Sequence, residues 1–231
     1  MRHDTKSSAT DPVTEFDRAA EEFIVGRLRR ERPHDALVGE EGTAQQGSTG
    51  LEWHVDPIDG TVNYVYDLPA WCTSVAVVDA DGPLAGAVFV PVAGELFSAA
   101  RGAGATLDGA PISCSTADDL STALVATGFS YLAERRTAQA SRIARIITEV
   151  RDVRRFGSAA LDLCTVAAGR VDAYYEEHLN SWDLAAGILV AAEAGATTSD
   201  FHGGAAGPDA TVAAAPGIHQ ALLAALVDPG S

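Results

Sequence analysis

The sequence predicts an α/β protein whose first half is α+β in character and whose second half alternates strands with helices. Three observations carry that expectation. Residues 72–100 are rich in β-formers and are cut by Asp81-Gly82 and Ala93-Gly94, the pattern of antiparallel hairpins. Beyond Ser115–Ser121, strand-length apolar segments alternate with helix-length ones, two of them closed by Gly169 and Gly195. Between the first helix and the sheet lies Trp53-His54-Val55-Asp56-Pro57-Ile58-Asp59-Gly60-Thr61-Val62-Asn63-Tyr64, with two carboxylates three residues apart. The change of character divides the chain into halves 1–115 and 116–231.

The elements follow in order. Thr14 can cap a helix over Glu15–Arg30, with Phe16, Ala20, Phe23, Ile24 and Leu28 on one apolar face. Pro33 ends it, and Ala36–Gly39 is a short strand with Glu40-Glu41-Gly42 at its exit. Residues 43–50 read as loop. Trp53–Val55 ends a buried strand, and Pro57 is expected to force a turn. Strands follow at Thr73–Val78, Leu84–Pro91 and Glu95–Ala99, then a hairpin turn at Leu107-Asp108-Gly109. In the second half, strands are expected at Leu124–Thr127, Val153–Phe156, Val171–Tyr175 and Val212–Ala214. The helices are Glu134–Val150, Ser158–Ala168, Trp182–Ala194 and Gly217–Leu226.

Composition narrows the function. The 231 residues, 47% of them hydrophobic, suffice for one large domain or two small ones sharing a core. Sixteen Lys+Arg against 32 Asp+Glu give a net charge of −16, which repels nucleic acid, and no basic stripe offsets it. Cys72, Cys114 and Cys164 form no CxxC pair, which points to a reducing compartment. No apolar run approaches membrane length and no secretory segment opens the chain, so a soluble cytoplasmic protein is expected.

The chemistry gathers on acids. Asp56 and Asp59 on one turn suit Mg²⁺, a hard cation that prefers oxygen. A helical turn opened by Gly60-Thr61 presents N–H groups to an anion such as phosphate. A plain surface Asp-Pro-x-Asp-Gly turn has the same sequence. Asp183 starts the Trp182 helix, where a carboxylate is favoured by the helix dipole and can act as a cap alone. Small Ala185, Ala186 and Gly187 would let that helix approach a partner closely. Glu40, Asp56, Asp59 and Asp183, with the Ile58 carbonyl, suffice for two or three Mg²⁺; Asp17 and Glu41 are reserves. Only one of Glu176 and Glu177 can face a site from a strand. His54, Cys164, Trp71 and Trp182 read as structural. No aromatic or basic residue is placed to hold a nucleobase.

These segments resemble the inositol monophosphatase family and, within it, the bacterial SuhB-like proteins. Asp56–Tyr64 looks like the first family signature, and Trp182–Gly187 through Glu193-Ala194-Gly195 the second. Gly39-Glu40-Glu41, the stretch from Lys6 to Asp17, Gly157–Ala160 and Ala173–Glu176 resemble further elements, in the family's order. The resemblance implies a layered α-β-α-β-α sandwich, usually dimeric, and a lithium-sensitive phosphatase. It implies Glu40, Asp56 and the Ile58 carbonyl on a first Mg²⁺, Asp56, Asp59 and Asp183 on a second, and Glu40 on a third. Thr61, helped by Glu40 or Asp17, would orient the attacking water. Gly60 and Thr61 amides would bind phosphate, and Asp59, Ser158, Ala159, Glu176 and Asp183 would line the polyol site. Lys6 would lie near the third ion. The implied reaction is hydrolysis of a small polyol phosphate, myo-inositol 1-phosphate first; related sugar, histidinol or nucleotide phosphatases and a regulator docking on transcription machinery are the alternatives. Family members usually carry a helix before the Lys6 loop, and Met1 stands only five residues ahead of it, so a short form with one uncovered face is expected. Asn180, three before Asp183, falls in a variable part of the pocket.

Overall fold

Thr14 caps the first helix, α1 (Glu15–Glu31), accepting from the amides of Phe16 and Asp17 while Asp17 bonds back to the Thr14 amide at 2.8 Å. The computed structural model describes residues 4–5 and 12–227; Lys6, Ser7, Ser8 and Asp11 lie outside the described residues. The face of α1 that turns inward differs from the apolar face expected. Thr14, Asp17, Glu21 and Val25 are buried, whereas Phe16 and Phe23 are 44% and 77% exposed. The inward polar residues have bonding duties that override hydrophobic patterning: Glu21 accepts from the amides of Glu41 (2.7 Å) and Thr43 (3.1 Å).

Two short strands, β1 (Asp4–Thr5) and β2 (Pro12–Val13), pair antiparallel ahead of α1. The strands β3 (Ala36–Gly39), β4 (Ala44–Gln45), β5 (Glu52–Asp59), β6 (Cys72–Asp79), β7 (Gly82–Val90), β8 (Glu95–Ala100), β9 (Ala105–Leu107) and β10 (Ala110–Pro111) make one sheet, ordered β10-β9-β8-β7-β6-β5-β3-β4. It is antiparallel apart from the β3–β5 pair. Two expectations change here. The segment 43–50, read as loop, contains β4 paired with β3. The strand ending in Val55 continues through Pro57 to Asp59, because a register shift between Asp56 and Asp59 absorbs the missing proline donor. A five-residue helix, α2 (Thr61–Val65), follows directly; its cap Gly60 sits at φ 94°, a left-handed conformation that suits glycine.

After a 3₁₀ turn at Leu120–Thr122, the second half supplies β11 (Leu124–Thr127), α3 (Ala133–Ile146), β12 (Asp152–Arg154), α4 (Ala159–Ala167), β13 (Ala173–Glu177), α5 (Ser181–Glu193), β14 (Thr197–Ser199), β15 (Ala210–Ala214) and α6 (His219–Leu226). Its sheet runs β12-β11-β13-β15-β14; β11 is parallel to both neighbours and the rest is antiparallel. The predicted helix to Val150 stops at Ile146, and β14 is an added strand.

Helix α4 is buried along its whole length and α5 over its middle turns, and both lie between the sheets. Phe97 and Val88 of the first sheet share a core with Leu163 and Leu189 of these helices and Tyr174 of the second sheet. A second core packs Val125, Val212 and Tyr175 against Ile146 of α3 and Ile218 and Leu222 beside and within α6. With α1 outside the first sheet, the layers run α-β-α-β-α. Small residues set the spacing. A Cβ on Gly86 would stand 2.9 Å from the Ala186 Cα, and one on Gly187 would stand 2.8 Å from the Leu163 Cβ. Gly187→Ala therefore forces α5 off α4, and we expect a loss of about 1–3 kcal/mol in stability, read from thermal unfolding.

Candidate active site

The end of β5, the exit of β3 and the first turns of α4 and α5 meet around a cavity of about 420 Å³. Glu40, Asp56, Ile58, Asp59, Gly60, Thr61, Ser158, Ala159, Glu176 and Asp183 all line it, although Glu40 and Asp183 are 143 positions apart in the chain. Asp17 stands behind Thr61: the Thr61 hydroxyl lies 3.2 Å from Asp17 Oδ1 and 3.1 Å from the Ile58 carbonyl. The bulge in β5 is what turns this stretch into a site. Ile58 N donates to Asp56 Oδ1 at 3.1 Å, and the shifted register lets Asp56 and Asp59 both line the cavity.

Each acid is steadied on one side. Asp59 Oδ2 accepts from Ser158 Oγ and from Ala160 N, both at 2.7 Å, so the cap of α4 holds it. Asp183 closes a capping box with Asn180, whose amide donates to its Oδ2 at 2.7 Å. Glu176 accepts from the Tyr174 hydroxyl at 2.7 Å. Gly128 faces it, where a Cβ would fall 1.9 Å from the Glu176 carboxylate. Glu177 turns the other way and pairs with Arg142.

The electrostatics are those of crowded, desolvated like charges. Burial, with the charges of Glu40, Asp59 and Asp183, pushes Asp56 well above the usual carboxylate range. Burial and the Asp59 charge do the same to Asp183. Asp59 is raised by burial against the opposing bonds from Ser158 and Ala160. Burial lifts Glu176 to about 7 although the Tyr174 bond opposes it.

Such a set fits a hard divalent cation. The donors are all oxygen, and the hydrogen bonds to Asp59 and Asp183 converge on one oxygen of each, leaving the other for a ligand. Among the described residues no three His, Cys, Asp or Glu close into a finished cage. The acids line the cavity walls, and a cation bound among them would offset their mutual repulsion.

Several contributors were not identified from sequence. Glu21 pins the Glu40–Thr43 loop from α1. Asn63 Nδ2 ties α2 to the Ala70 and Phe156 carbonyls at 2.5 and 2.7 Å. The cavity wall also carries Phe129, Tyr131, Arg135, Arg155 and Trp182. From sequence, none of these aromatic or basic side chains is placed at the cavity, and Trp182 counts among the packing residues. The signal was weak because Phe129–Arg135 sits in a segment with no motif, some seventy residues from the first signature.

Comparison with known proteins agrees with this geometry. The family model described as "Inositol monophosphatase family" matches residues 1–230. The inositol-1-monophosphatase of Mycobacterium leprae is 51% identical over 96% of this chain and 80% of its own. The Nus factor SuhB of Xylella fastidiosa is 41% identical over 87% of this chain and 73% of its own. The crystal structure of the extragenic suppressor protein suhB from Bartonella henselae superposes with a TM-score of 0.92 at 34% identity, covering 99% of this chain and 89% of that one. With the matched sequence, the shared layers and the acid-lined cavity together, the chain belongs to the inositol monophosphatase family.

Proposed function

We propose that this protein is a Mg²⁺-dependent phosphomonoesterase that hydrolyses a small polyol phosphate, with myo-inositol 1-phosphate the first candidate. The observation that carries the reading is the meeting of Glu40, Asp56, Asp59 and Asp183 with the Thr61–Asp17 pair on one cavity. Glu40, Asp56 and the Ile58 carbonyl would hold one Mg²⁺, and Asp56, Asp59 and Asp183 another; Glu40 would also serve a third. Bound Mg²⁺ supplies Lewis-acid charge to the leaving oxygen and acidifies water. The chain supplies the rest. Asp17, fixed by the Thr14 amide, orients the Thr61 hydroxyl. Thr61 Oγ1 then accepts a proton from the attacking water while its own passes to Asp17 Oδ1. The amides of Gly60 and Thr61 bind phosphate oxygens, and Ser158, Ala159 and Glu176 face the polyol. The halves 1–115 and 116–231 divide the work, the first carrying most metal ligands and the second the substrate wall and Asp183.

The reading carries a homodimer, a cytoplasmic location and lithium inhibition with it. No helix among the described residues is long and apolar enough to cross a membrane. A second reading, a regulator that docks on transcription machinery, is favoured by the Nus factor name of a 41% identical relative. A catalytically dead variant that keeps the cellular role would select it.

The test is phosphate release from inositol 1-phosphate, fructose 1,6-bisphosphate, histidinol phosphate and a 3′-phosphonucleotide, with Mg²⁺ and with EDTA. We expect the highest kcat/KM on inositol 1-phosphate and no release in chelator. The aromatic and basic wall makes the nucleotide the informative competitor. Full activity in EDTA would overturn the mechanism, because an all-oxygen site has no other catalyst to offer.

A further inference from the structure

Strand β5 and helix α5 bring Asp56 and Asp183 to the cavity from opposite parts of the chain, and something must fix the gap between them. Two residues before Asp56, on the same face of β5, lies His54, only 7% exposed. Two residues before Asp183, at the start of α5, lies Ser181. His54 Nδ1 and Ser181 Oγ share a hydrogen bond at 2.8 Å, while Glu52 Oε1 stands 3.0 Å from His54 Nε2. A second link runs parallel. Ser74, buried, is the direct cross-strand partner of Asp56 and donates to the Trp182 carbonyl at 3.3 Å. The first turn of α5 is therefore pinned just ahead of Asp183 twice, to β5 through Ser181 and to β6 through the Trp182 carbonyl.

We propose that His54, Ser181 and Ser74 form a strut that sets the Asp56–Asp183 spacing and thereby the affinity of the site for its cation. They are positioning residues: none lines the cavity, and they act through the backbone that carries the two acids. The inference rests on the metal-site reading above. Hydrogen bonds of this outer kind orient the ligating carboxylates, and their loss typically weakens metal binding ten- to a hundred-fold. The strut sits one step further out, so the lower end applies.

The experiment is calorimetric titration of Mg²⁺ into the full chain without substrate, beside phosphate release at rising Mg²⁺. We expect Ser181→Ala to weaken Mg²⁺ binding about ten-fold, and to raise the Mg²⁺ needed for half-maximal turnover in step. At saturating Mg²⁺ its kcat stays within about two-fold of wild type, since no reacting group is lost. Ser181→Thr, which keeps the hydroxyl, restores affinity. Ser74→Ala gives a smaller loss of the same kind, and the double variant a larger one. Unchanged Mg²⁺ affinity in folded Ser181→Ala, or a fall in kcat that saturating Mg²⁺ does not repair, overturns the strut. If Ser181→Ala fails to fold, Ser74→Ala decides by the same two criteria. Wild-type protein that takes up no Mg²⁺ overturns the metal-site reading itself, which keeps the two failures distinct.

Discussion

Asp183→Asn is expected to abolish turnover and, in the absence of metal, to make the protein more stable. Asparagine keeps an oxygen that can accept from the Asn180 amide, so the capping box that starts α5 survives. What disappears is one of the buried charges crowded on the cavity. Asp183 and Asp56 are both driven toward the neutral form by burial and by neighbouring acids, so ionised Asp183 opposes folding until a cation compensates it. Removing that charge should raise metal-free stability by about 1–2 kcal/mol, seen as an upward shift of roughly 2–8 °C in Tm. The same change removes a ligand, and a hundred-fold or greater loss of kcat follows from the several kcal/mol that metal charge stabilisation supplies. Mg²⁺ should raise the Tm of wild type much more than that of the variant. A folded variant with near-normal turnover would reduce Asp183 to a helix cap.

Glu176→Gln should separate recognition of the polyol from the chemistry. A carboxylate facing the pocket accepts from one or two ring hydroxyls, and bonds to a charged acceptor contribute about 1.5–3 kcal/mol each. We expect kcat/KM on inositol 1-phosphate to fall by roughly ten-fold or more on that arithmetic. A small aryl phosphate lacks those hydroxyls and should change far less. The variant also carries a pH signature. Glu176 titrates at about 7 in the folded protein against an ordinary value of 4.5. A raised folded pKa means the folded state holds the proton longer. Stability is then lost as pH climbs from 4.5 to 7, and the full penalty applies above 7. Glutamine removes the penalty, so the variant should be more stable than wild type by about 1–2 kcal/mol at pH 8, discounted for the part of the carboxyl open to the cavity. Below pH 4.5 the two should be alike. Equal losses on both substrates would place Glu176 in the metal site or the fold instead.

The sequence made the backbone punctuation easy to read. Thr14 caps α1, and Asp81-Gly82 and Ala93-Gly94 turn the strands, where expected; the cap of α5, expected at Asp183, is Asn180, with Asp183 completing its capping box. The acids stood out for a related reason: Asp59 ends β5 beside Gly60, Asp183 lies in the first turn of α5, and Asp56 stands beside Pro57 inside β5. What stayed hidden depends on contacts between distant segments. The inward face of α1 is polar because Glu21 bonds a loop twenty residues away, so counting apolar residues selected the wrong face. Pro57 looked like a strand end because the bulge that accommodates it is a property of the β5–β6 pair. The wall of Phe129, Arg135 and Arg155 faces Glu176 only through the second sheet and its crossovers.

The central claim is that Glu40, Asp56, Asp59 and Asp183 form one cation centre that presents a phosphate to Thr61. Anomalous diffraction from crystals grown with Mn²⁺ and inorganic phosphate tests it most directly, because Mn²⁺ takes the same oxygen ligands as Mg²⁺ and can be located by its own scattering. The expected result is at least two Mn²⁺ peaks, each within about 2.0–2.3 Å of carboxylate oxygens of Asp56 and of Asp59, Asp183 or Glu40, with phosphate bridging them beside Thr61. Peaks elsewhere on the acidic surface, or a cavity that takes up phosphate with no Mn²⁺ against Asp56, would contradict it.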